Sequence, residues 1–344
     1  MSQRVINIED AVGAILAHDI TEIRRGEFKG PAFRKGHKVR ESDICHLQRL
    51  GKRHLFALEI EEGYLHENDA AVAMANAFGG NGVTWQGEPK EGKINLVAAQ
   101  DGLFKANVEA LTEINLLEEV MCASRHTNFP VKEGETIAAL RAIPLVIRAE
   151  IVDKAVAIAR PHGGLFQVKP LRRARAGIVI TGNEVFSHLI EDQFELVLRR
   201  KMDKIGSEVV GVTFAPDDAE CIVREIRRLL SEGADLLLIT GGMSVDPDDV
   251  TRQAVVEAGG TNILYGAPVL PGAMFMIATI GSVTVLGVPA CGLYHEITIL
   301  DLVLPRVLSG ERLTRKDIAA LGHGGLCLHC EECRYPRCPL GKGQ

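Results

Sequence analysis

In the second half of the chain, short runs of apolar residues alternate with longer stretches whose apolar residues recur every three or four positions. The short runs predict buried strands, and the longer stretches predict amphipathic helices. The predicted strands are 176–182, 208–216, 236–240 and 282–289. The predicted helices are 196–206, 217–233, 248–260 and 294–310. This alternation predicts an α/β domain, built on a parallel sheet with helices on both faces.

The first half of the chain has a less regular pattern. We predict a helix from Ser42 or Asp43 to Leu50, ended by Gly51, and then a strand at His54–Leu58. The apolar spacing of residues 102–120 predicts a further helix. The chain therefore divides into a small β-rich module (1–62), an α+β accessory region (63–172), the α/β domain (173–312) and a cysteine-rich tail (313–344).

The predicted strands should end at one edge of the sheet, where α/β proteins bind their ligands. Gly241 and Gly242 directly follow the strand Leu236–Thr240, so main-chain N–H groups can approach an anion closely there. The next residues include three carboxylates, Asp246, Asp248 and Asp249. Because these would repel a bare phosphate, we expect a divalent cation, Mg²⁺, to bind beside it.

The composition narrows the possible functions. The chain has 344 residues, of which 46% are hydrophobic and 24% charged, enough for two or three domain cores. Its net charge of -6 argues against a general nucleic-acid binder. No apolar run approaches the length of about 20 residues that a membrane helix needs. The first residues also lack the pattern of a signal peptide, so we expect a cytoplasmic protein.

The strand-end loops resemble those of the molybdopterin-binding domain in the molybdenum insertases (molybdopterin molybdenumtransferases). The matching residues are Thr181–Glu184, Asp217–Asp218, Thr240–Val245, Asp249 and Pro271–Gly272, in the family's order and spacing. The resemblance implies the sandwich fold of that domain, preceded by smaller accessory domains.

The resemblance also implies a function in molybdenum-cofactor biosynthesis: binding of molybdopterin or its adenylate, and insertion of molybdate with Mg²⁺. The acidic residues to which it assigns catalysis are Glu184, Asp217, Asp218 and Asp249. The residues to which it assigns ligand binding are Thr181, Gly182, Asp192, Thr240, Gly241, Gly242, Ser244, Pro271 and Gly272. It further implies a homodimer, with molybdoenzymes or other cofactor-biosynthesis proteins as partners. For the aspartates that precede helices, N-capping alone is the alternative explanation.

Two positions depart from the family pattern. Insertases carry a lysine on each side of the Pro-Gly pair, where this chain has Leu270 and Ala273. No lysine occurs between Lys204 and Lys316, and Arg252 is the nearest cation by sequence that could replace the missing lysines. The departure leaves two alternatives open: a non-catalytic carrier, sensor or delivery factor for molybdopterin, and a hydrolase of a nucleotide or pterin pyrophosphate.

The tail contains four closely spaced cysteines. They are Cys327, Cys330, Cys333 and Cys338, in a C-x2-C-x2-C-x4-C array. This spacing is typical of a [4Fe–4S] site, resembling the ferredoxin run with one extra residue. Tetrahedral zinc is the alternative, with His329 as a replacement ligand. We expect Gly322, Gly324 and Gly325 to make the tail a flexible tether.

Overall fold

The structure is a computed structural model that describes residues 3–24, 28–58, 60–243 and 250–343. The chain forms two compact units. The amino-terminal unit comprises residues 1–98, 106–125 and 134–167. The carboxyl-terminal unit comprises residues 99–105, 126–133 and 168–344.

The first half of the chain is rich in short strands. They are β1 (Gln3–Asn7), β2 (Ile15–Leu16), β3 (Ile20–Arg24), β4 (Phe28–Phe33), β5 (His54–Leu58), β6 (Tyr64–His66), β7 (Val83–Thr84), β8 (Lys93–Ala98), β9 (Gly102–Ala106), β10 (Val120–Ser124), β11 (Phe129–Val131), β12 (Thr136–Ala142), β13 (Val146–Arg148) and β14 (Phe166–Lys169). The helices are α1 (Glu41–Arg49), α2 (Glu67–Phe78), α3 (Val108–Asn115) and α4 (Ala149–Ala159). In the amino-terminal unit the strands pair as β1-β5-β2, β3-β4, β13-β6 and β10-β12-β8-β7.

Two local predictions in this half are corrected. The helix α1 begins at Glu41 and is capped by Arg40, because the Asp43 carboxylate accepts a hydrogen bond from the Arg40 N–H over 2.9 Å. Residues 102–106 form the strand β9 instead of a helix. The helix α3 follows it at Val108, where the Asn107 side chain caps the helix by accepting a hydrogen bond from Ala110 N–H.

The second half of the chain has the predicted α/β architecture. Its strands are β15 (Arg175–Thr181), β16 (Glu208–Ala215), β17 (Leu236–Thr240), β18 (Gly260–Tyr265), β19 (Met276–Ile280) and β20 (Val283–Val288). Its helices are α5 (Asn183–Phe186), α6 (Phe194–Lys204), α7 (Ala219–Ser231), α8 (Thr251–Glu257), α9 (Ile299–Leu308) and α10 (Arg315–Ala320). The six strands form one sheet, in the order β16-β15-β17-β20-β19-β18.

Hydrophobic core residues of this domain pack on both faces of the sheet. Successive residues of β15 point to opposite sides, so Ile178 packs in a cluster with α6 and α9, and Val179 packs in a cluster with α7 and α8. Every residue of β17 is buried. The sheet is thus covered by helices on both faces, which confirms the predicted fold class.

The parallel arrangement holds for four of the six strands. β15, β16, β17 and β20 are parallel neighbours, whereas β19 and β18 are added antiparallel at one edge. The sequence pattern did not predict these two antiparallel strands. The turn at Gly281 and Ser282 joins β19 directly to β20, and so short a connection allows only an antiparallel pair.

The last long helix begins later than the periodicity predicts. Residues 290–293 form a short 3₁₀ turn, and α9 starts at Ile299. Thr298 and Asp301 make a capping box that fixes this start. The Thr298 side chain accepts a hydrogen bond from the Asp301 N–H, and the Asp301 carboxylate accepts one from the Thr298 N–H.

The tail is folded against the sheet domain, so the predicted flexible tether is wrong. Leu270 N–H donates to Gly325 O, and Cys327 N–H donates to Leu270 O, each over 2.8 Å. A Cβ on Gly325 would lie 2.4 Å from Pro268 O, so that glycine is used for close packing rather than for flexibility. Leu340 is buried in the core of the domain.

No helix in the described part of the chain is both long enough and apolar enough to cross a membrane.

Candidate functional site

A cavity of about 660 Å³ opens at the carboxyl ends of the parallel strands. Glu184, Gly241 and Pro289, which follow β15, β17 and β20, contribute to it. Asp217 and Asp218, which follow β16, do not. The lining residues are Glu184, Gly241, Gly242, Met243, Leu270, Pro271, Gly272, Ala273, Met274, Pro289, Ala290, Cys291, His295 and His329. Its size is typical of sites that hold a cofactor-sized ligand.

Three buried threonines lie behind the glycine turn. Thr181 Oγ1 donates a hydrogen bond to Thr240 O over 2.7 Å and lies 3.4 Å from Thr251 Oγ1. Together these residues join the ends of β15 and β17 to the start of α8. Thr181 and Thr240 are therefore part of the support of the cavity and not of its lining.

The glycine turn itself requires glycine. Gly241 and Gly242 have φ angles of 77° and 56°, in the left-handed region that side chains disfavour. A Cβ on Gly241 would lie 2.6 Å from both Thr181 O and Thr181 Oγ1, and a Cβ on Gly242 would collide with Thr251 Oγ1. The main chain is thereby left bare at the cavity wall.

The predicted acidic residues do not all meet at the cavity. Glu184 lines it and is exposed. Asp217 instead accepts a hydrogen bond from Asn183 N–H over 2.9 Å, and Asn183 Oδ1 accepts one from Asp217 N–H over 3.1 Å. This reciprocal pair ties the loop after β16 to the start of α5.

Asp218 and Asp192 act as helix caps. Asp218 accepts a hydrogen bond from Cys221 N–H over 2.8 Å at the start of α7, and this bond lowers the pKa of the Asp218 carboxyl. Asp192 accepts hydrogen bonds from Phe194 N–H and Glu195 N–H, each over 2.9 Å, at the start of α6. For Asp218, the N-capping explanation from the sequence is thus confirmed.

Two predicted site residues, Ser244 and Asp249, lie outside the described residues, as do the neighbouring acids Asp246 and Asp248.

Arg252 does not take the place of the missing lysines at the cavity wall. Its guanidinium carbon lies 4.2 Å from the ring centroid of Tyr265, a cation–π contact. The Tyr265 hydroxyl donates a hydrogen bond to Met243 O. Through Tyr265, Arg252 supports the segment that follows the glycine turn.

The segment from Leu270 to Ala273 forms another part of the cavity wall. The Leu270 side chain is 53% exposed and lines the cavity together with Pro271, Gly272 and Ala273. Among the described lining residues there is no lysine or arginine. This part of the wall is therefore uncharged.

Sequence reasoning missed two histidines of the cavity. His295 follows the 3₁₀ turn after β20, and His329 comes from the tail between the first two of its cysteines. Their ring centroids are 5.5 Å apart. The loop position of His295 was a usable signal, but no pattern in the sequence places residue 329 beside residue 295.

Cys291 also lines the cavity. Burial raises the pKa of its thiol, so the thiol stays protonated near neutral pH and is a poor nucleophile.

The four tail cysteines line a second cavity of about 340 Å³. His295 and His329 line this second cavity as well as the first. Within the described ranges, no three His, Cys, Asp or Glu side chains converge closely enough to hold one metal ion.

Two separate parts of the sequence match known protein families. Residues 177–308 match the family described as "Probable molybdopterin binding domain". Residues 5–59 match a domain of unknown function.

Individual proteins are similar over limited parts of their length. A CinA-like protein of Thermosipho melanesiensis is 36% identical over 88 residues, which are 26% of this chain and 22% of that protein. This chain thus spans less than a quarter of that relative. The solved structure of MoaB from Thermus thermophilus superposes with a TM-score of 0.35 and 23% identity, covering 40% of this chain and 98% of that one. A MoeA protein of Pyrococcus horikoshii superposes with a TM-score of 0.34 and 16% identity, covering 90% of this chain and 75% of that one.

Proposed function

We propose, on the premise that residues 177–308 belong to the family of molybdopterin-binding domains, that this chain binds molybdopterin or its adenylate in the cavity at the strand ends. The observation that carries the proposal is the bare main chain at Gly241 and Gly242, which lines a cavity of about 660 Å³. Main-chain N–H groups at such a turn are suited to a phosphate, and the cavity is large enough for the attached pterin.

The apolar part of the cavity suits a ring system. Met243, Met274 and Pro289 lie in its lining, and Leu270 exposes its side chain there. Methionine adapts its shape to a flat ligand and makes favourable contacts with aromatic rings. The polar phosphate and the flat pterin would thus each find a matching surface.

Mg²⁺ at this site depends on a residue that the structure does not describe. Among the described lining residues, Glu184 is the one that carries a carboxylate, and one carboxylate alone does not make a magnesium site. Asp249 is the second carboxylate that we propose for this role.

Two functions remain compatible with molybdopterin binding, and the lining favours one of them. Insertion of molybdate requires a site that accepts a further anion, yet Leu270 and Ala273 provide no positive charge. Of the two functions, we therefore propose that the chain carries or delivers molybdopterin in cofactor biosynthesis, rather than inserting molybdate.

Binding is tested by co-purification. The full chain, isolated from cells that make molybdopterin, should carry the pterin, measured as its fluorescent oxidation product. Glu184→Ala and Asp249→Ala should each lower the pterin content. Glu191→Ala is the matched control, because Glu191 is also exposed and does not line the cavity. Wild-type pterin content in both test variants would show that the site is misplaced.

Carriage and insertion are separated with the same protein. Pterin-loaded protein is incubated with molybdate and Mg²⁺, and the products are tested for activation of a cofactor-free molybdoenzyme. If the protein only carries the pterin, activation should depend on molybdate in the same way with the protein as in a protein-free control. A clear molybdate-dependent gain in activation caused by the protein would support insertion instead.

A further inference from the structure

The four cysteines of the tail line one cavity. Cys327, Cys330, Cys333 and Cys338 all line the space of about 340 Å³ described above. Cys330 and Cys333 are exposed, whereas Cys327 and Cys338 are partly buried and pack against the core of the domain. Four thiols facing a common space are the ligand set of a soft metal site.

The segment that carries the four cysteines is fixed by contacts that do not involve the thiols. At its first end, Cys327 is joined to Leu270 by the main-chain hydrogen bond described above. At its other end, Leu340 is buried and the Lys342 ammonium donates hydrogen bonds to the carbonyl oxygens of Pro336 and Cys338. Tyr335 packs against the core between these ends. The fold thus places all four cysteines in the lining of one cavity.

The spacing of the thiols bears on whether they would hold a single ion or a cluster. In a tetrahedral zinc site with Zn–S bonds of about 2.3 Å, the sulfurs would lie only about 3.8 Å apart. The described side chains contain no such convergent set. Thiols that line one cavity without converging on a point suit a polynuclear centre.

We propose that Cys327, Cys330, Cys333 and Cys338 bind a [4Fe–4S] cluster in this cavity. Each cysteine supplies one thiolate to one iron, and the four thiol protons are released to solvent. The site is independent of the proposed molybdopterin site in its ligands. It lies next to that site in space, because His295 and His329 line both cavities.

The test uses the full chain under anaerobic conditions. The protein is reconstituted with ferric iron, sulfide and excess dithiothreitol, which supplies the electrons that reduce half of the iron. After desalting we expect about four irons and about four sulfides per chain, with the broad visible absorption of an iron–sulfur cluster. An electron paramagnetic resonance signal should appear on reduction with dithionite.

The test variant is Cys330→Ser combined with Cys333→Ser, because both side chains are exposed and their replacement should leave the fold intact. This variant should lose the iron, the sulfide and the visible absorption. The matched control is Cys45→Ser, an exposed cysteine of the other unit, which should bind as wild type. Circular dichroism and thermal unfolding verify that the double variant is folded.

Three results would overturn the proposal. One is retention of iron and sulfide by the folded double variant. Another is a wild-type protein that binds zinc at one ion per chain and no sulfide. The last is a wild-type protein that binds neither. None of these outcomes depends on pterin content, so failure of the cluster site and failure of the proposed function are distinguishable.

Discussion

The hydroxyl of Thr181 donates a hydrogen bond over 2.7 Å to the carbonyl oxygen of Thr240 and so ties together the ends of two neighbouring parallel strands. Both residues are buried. The Thr240 hydroxyl, by contrast, has no hydrogen-bond partner among the described residues. The two threonines lie at the ends of neighbouring strands and look equivalent in the sequence. Their hydroxyls nevertheless contribute to stability with opposite signs.

Replacing each threonine by valine should change stability in opposite directions. Thr181→Val removes a buried hydrogen bond and should lower the free energy of unfolding by about 1 kcal/mol. Thr240→Val removes a hydroxyl that is unpartnered within the described ranges and should raise it by about 1 kcal/mol. Denaturant unfolding of both variants measures the difference. A loss of stability in Thr240→Val would contradict this prediction.

The glycine turn can be tested with a matched pair of glycines. Gly281 has a φ of 59°, close to that of Gly242, but a Cβ there meets nothing within 4 Å. Gly281→Ala should therefore cost only the backbone strain of about 1–2 kcal/mol. Gly242→Ala should cost clearly more, because its Cβ collides with Thr251 Oγ1.

The same two variants separate stability from ligand binding. Gly281 lies before β20, at the end of the sheet opposite the cavity, so Gly281→Ala should keep the wild-type pterin content. Gly242→Ala should lose it. Equal pterin contents in two folded variants would contradict a ligand-binding role for this turn.

Restoring the two cations of the family pattern should strengthen anion binding. Leu270→Lys with Ala273→Lys adds positive charge at the cavity wall, and each charge-assisted contact is worth up to about 1.5–3 kcal/mol. The fold should tolerate the change, because Leu270 contacts the tail through its main chain. Molybdate-dependent activation of a molybdoenzyme should rise, and the gain should shrink at high salt.

The control for this prediction is Leu189→Lys combined with Ile190→Lys, which adds the same two charges at exposed positions that do not line the cavity. Equal effects of the two charge changes would show that net charge, and not the cavity wall, is responsible.

An ionic network around the buried Arg306 predicts loss of stability in acid. Arg306 is buried and contacts Glu311 over 2.9 Å and Asp317 over 3.3 Å, while Lys105 contacts Glu311 over 2.7 Å. Burial acts to raise the pKa of both carboxyls, but for Glu311 the contacts with Lys105 and Arg306 outweigh it, and for Asp317 those with Thr314 and Arg306 do. Both pKa values are therefore lowered.

Because the unfolded chain binds these protons more readily, the stabilisation is complete above about pH 4.5 and is lost as the pH falls through the folded-state pKa values. Glu311→Gln should lower the free energy of unfolding at pH 7 by about 3 kcal/mol and flatten its decline in acid. Glu208→Gln breaks an exposed pair with Arg175 and should cost less than about 1 kcal/mol. Denaturant unfolding between pH 7 and pH 3 measures both.

Much of the sheet domain was predictable because its signals are local. The apolar runs became β15, β16, β17 and β20. The signal is strongest where a strand is buried on both faces, as β17 is, because such a strand is apolar almost throughout. The position of the glycine turn at the sheet edge followed from those strands. The two antiparallel strands were not predicted: β18 has no buried residue, and β19 is buried only at Met276–Ala278.

The acids at the strand ends illustrate where local reasoning stops. Glu184 and Asp217 are equally plausible as ligands in the sequence, yet one lines the cavity and the other pairs with Asn183. A side chain's role depends on which donor lies nearest in space, and a neighbour 34 positions away leaves no periodic pattern.

The order of apolar and polar residues by itself determined the α/β class, the four parallel strands and the bare turn that ends one of them, because periodicity and backbone conformation are properties of neighbouring residues. Only the tertiary structure decided that the tail packs beside Leu270, that His329 meets His295 and that four cysteines line one cavity. These contacts join residues far apart in the chain, and their energy exists only once the sheet has brought the segments together.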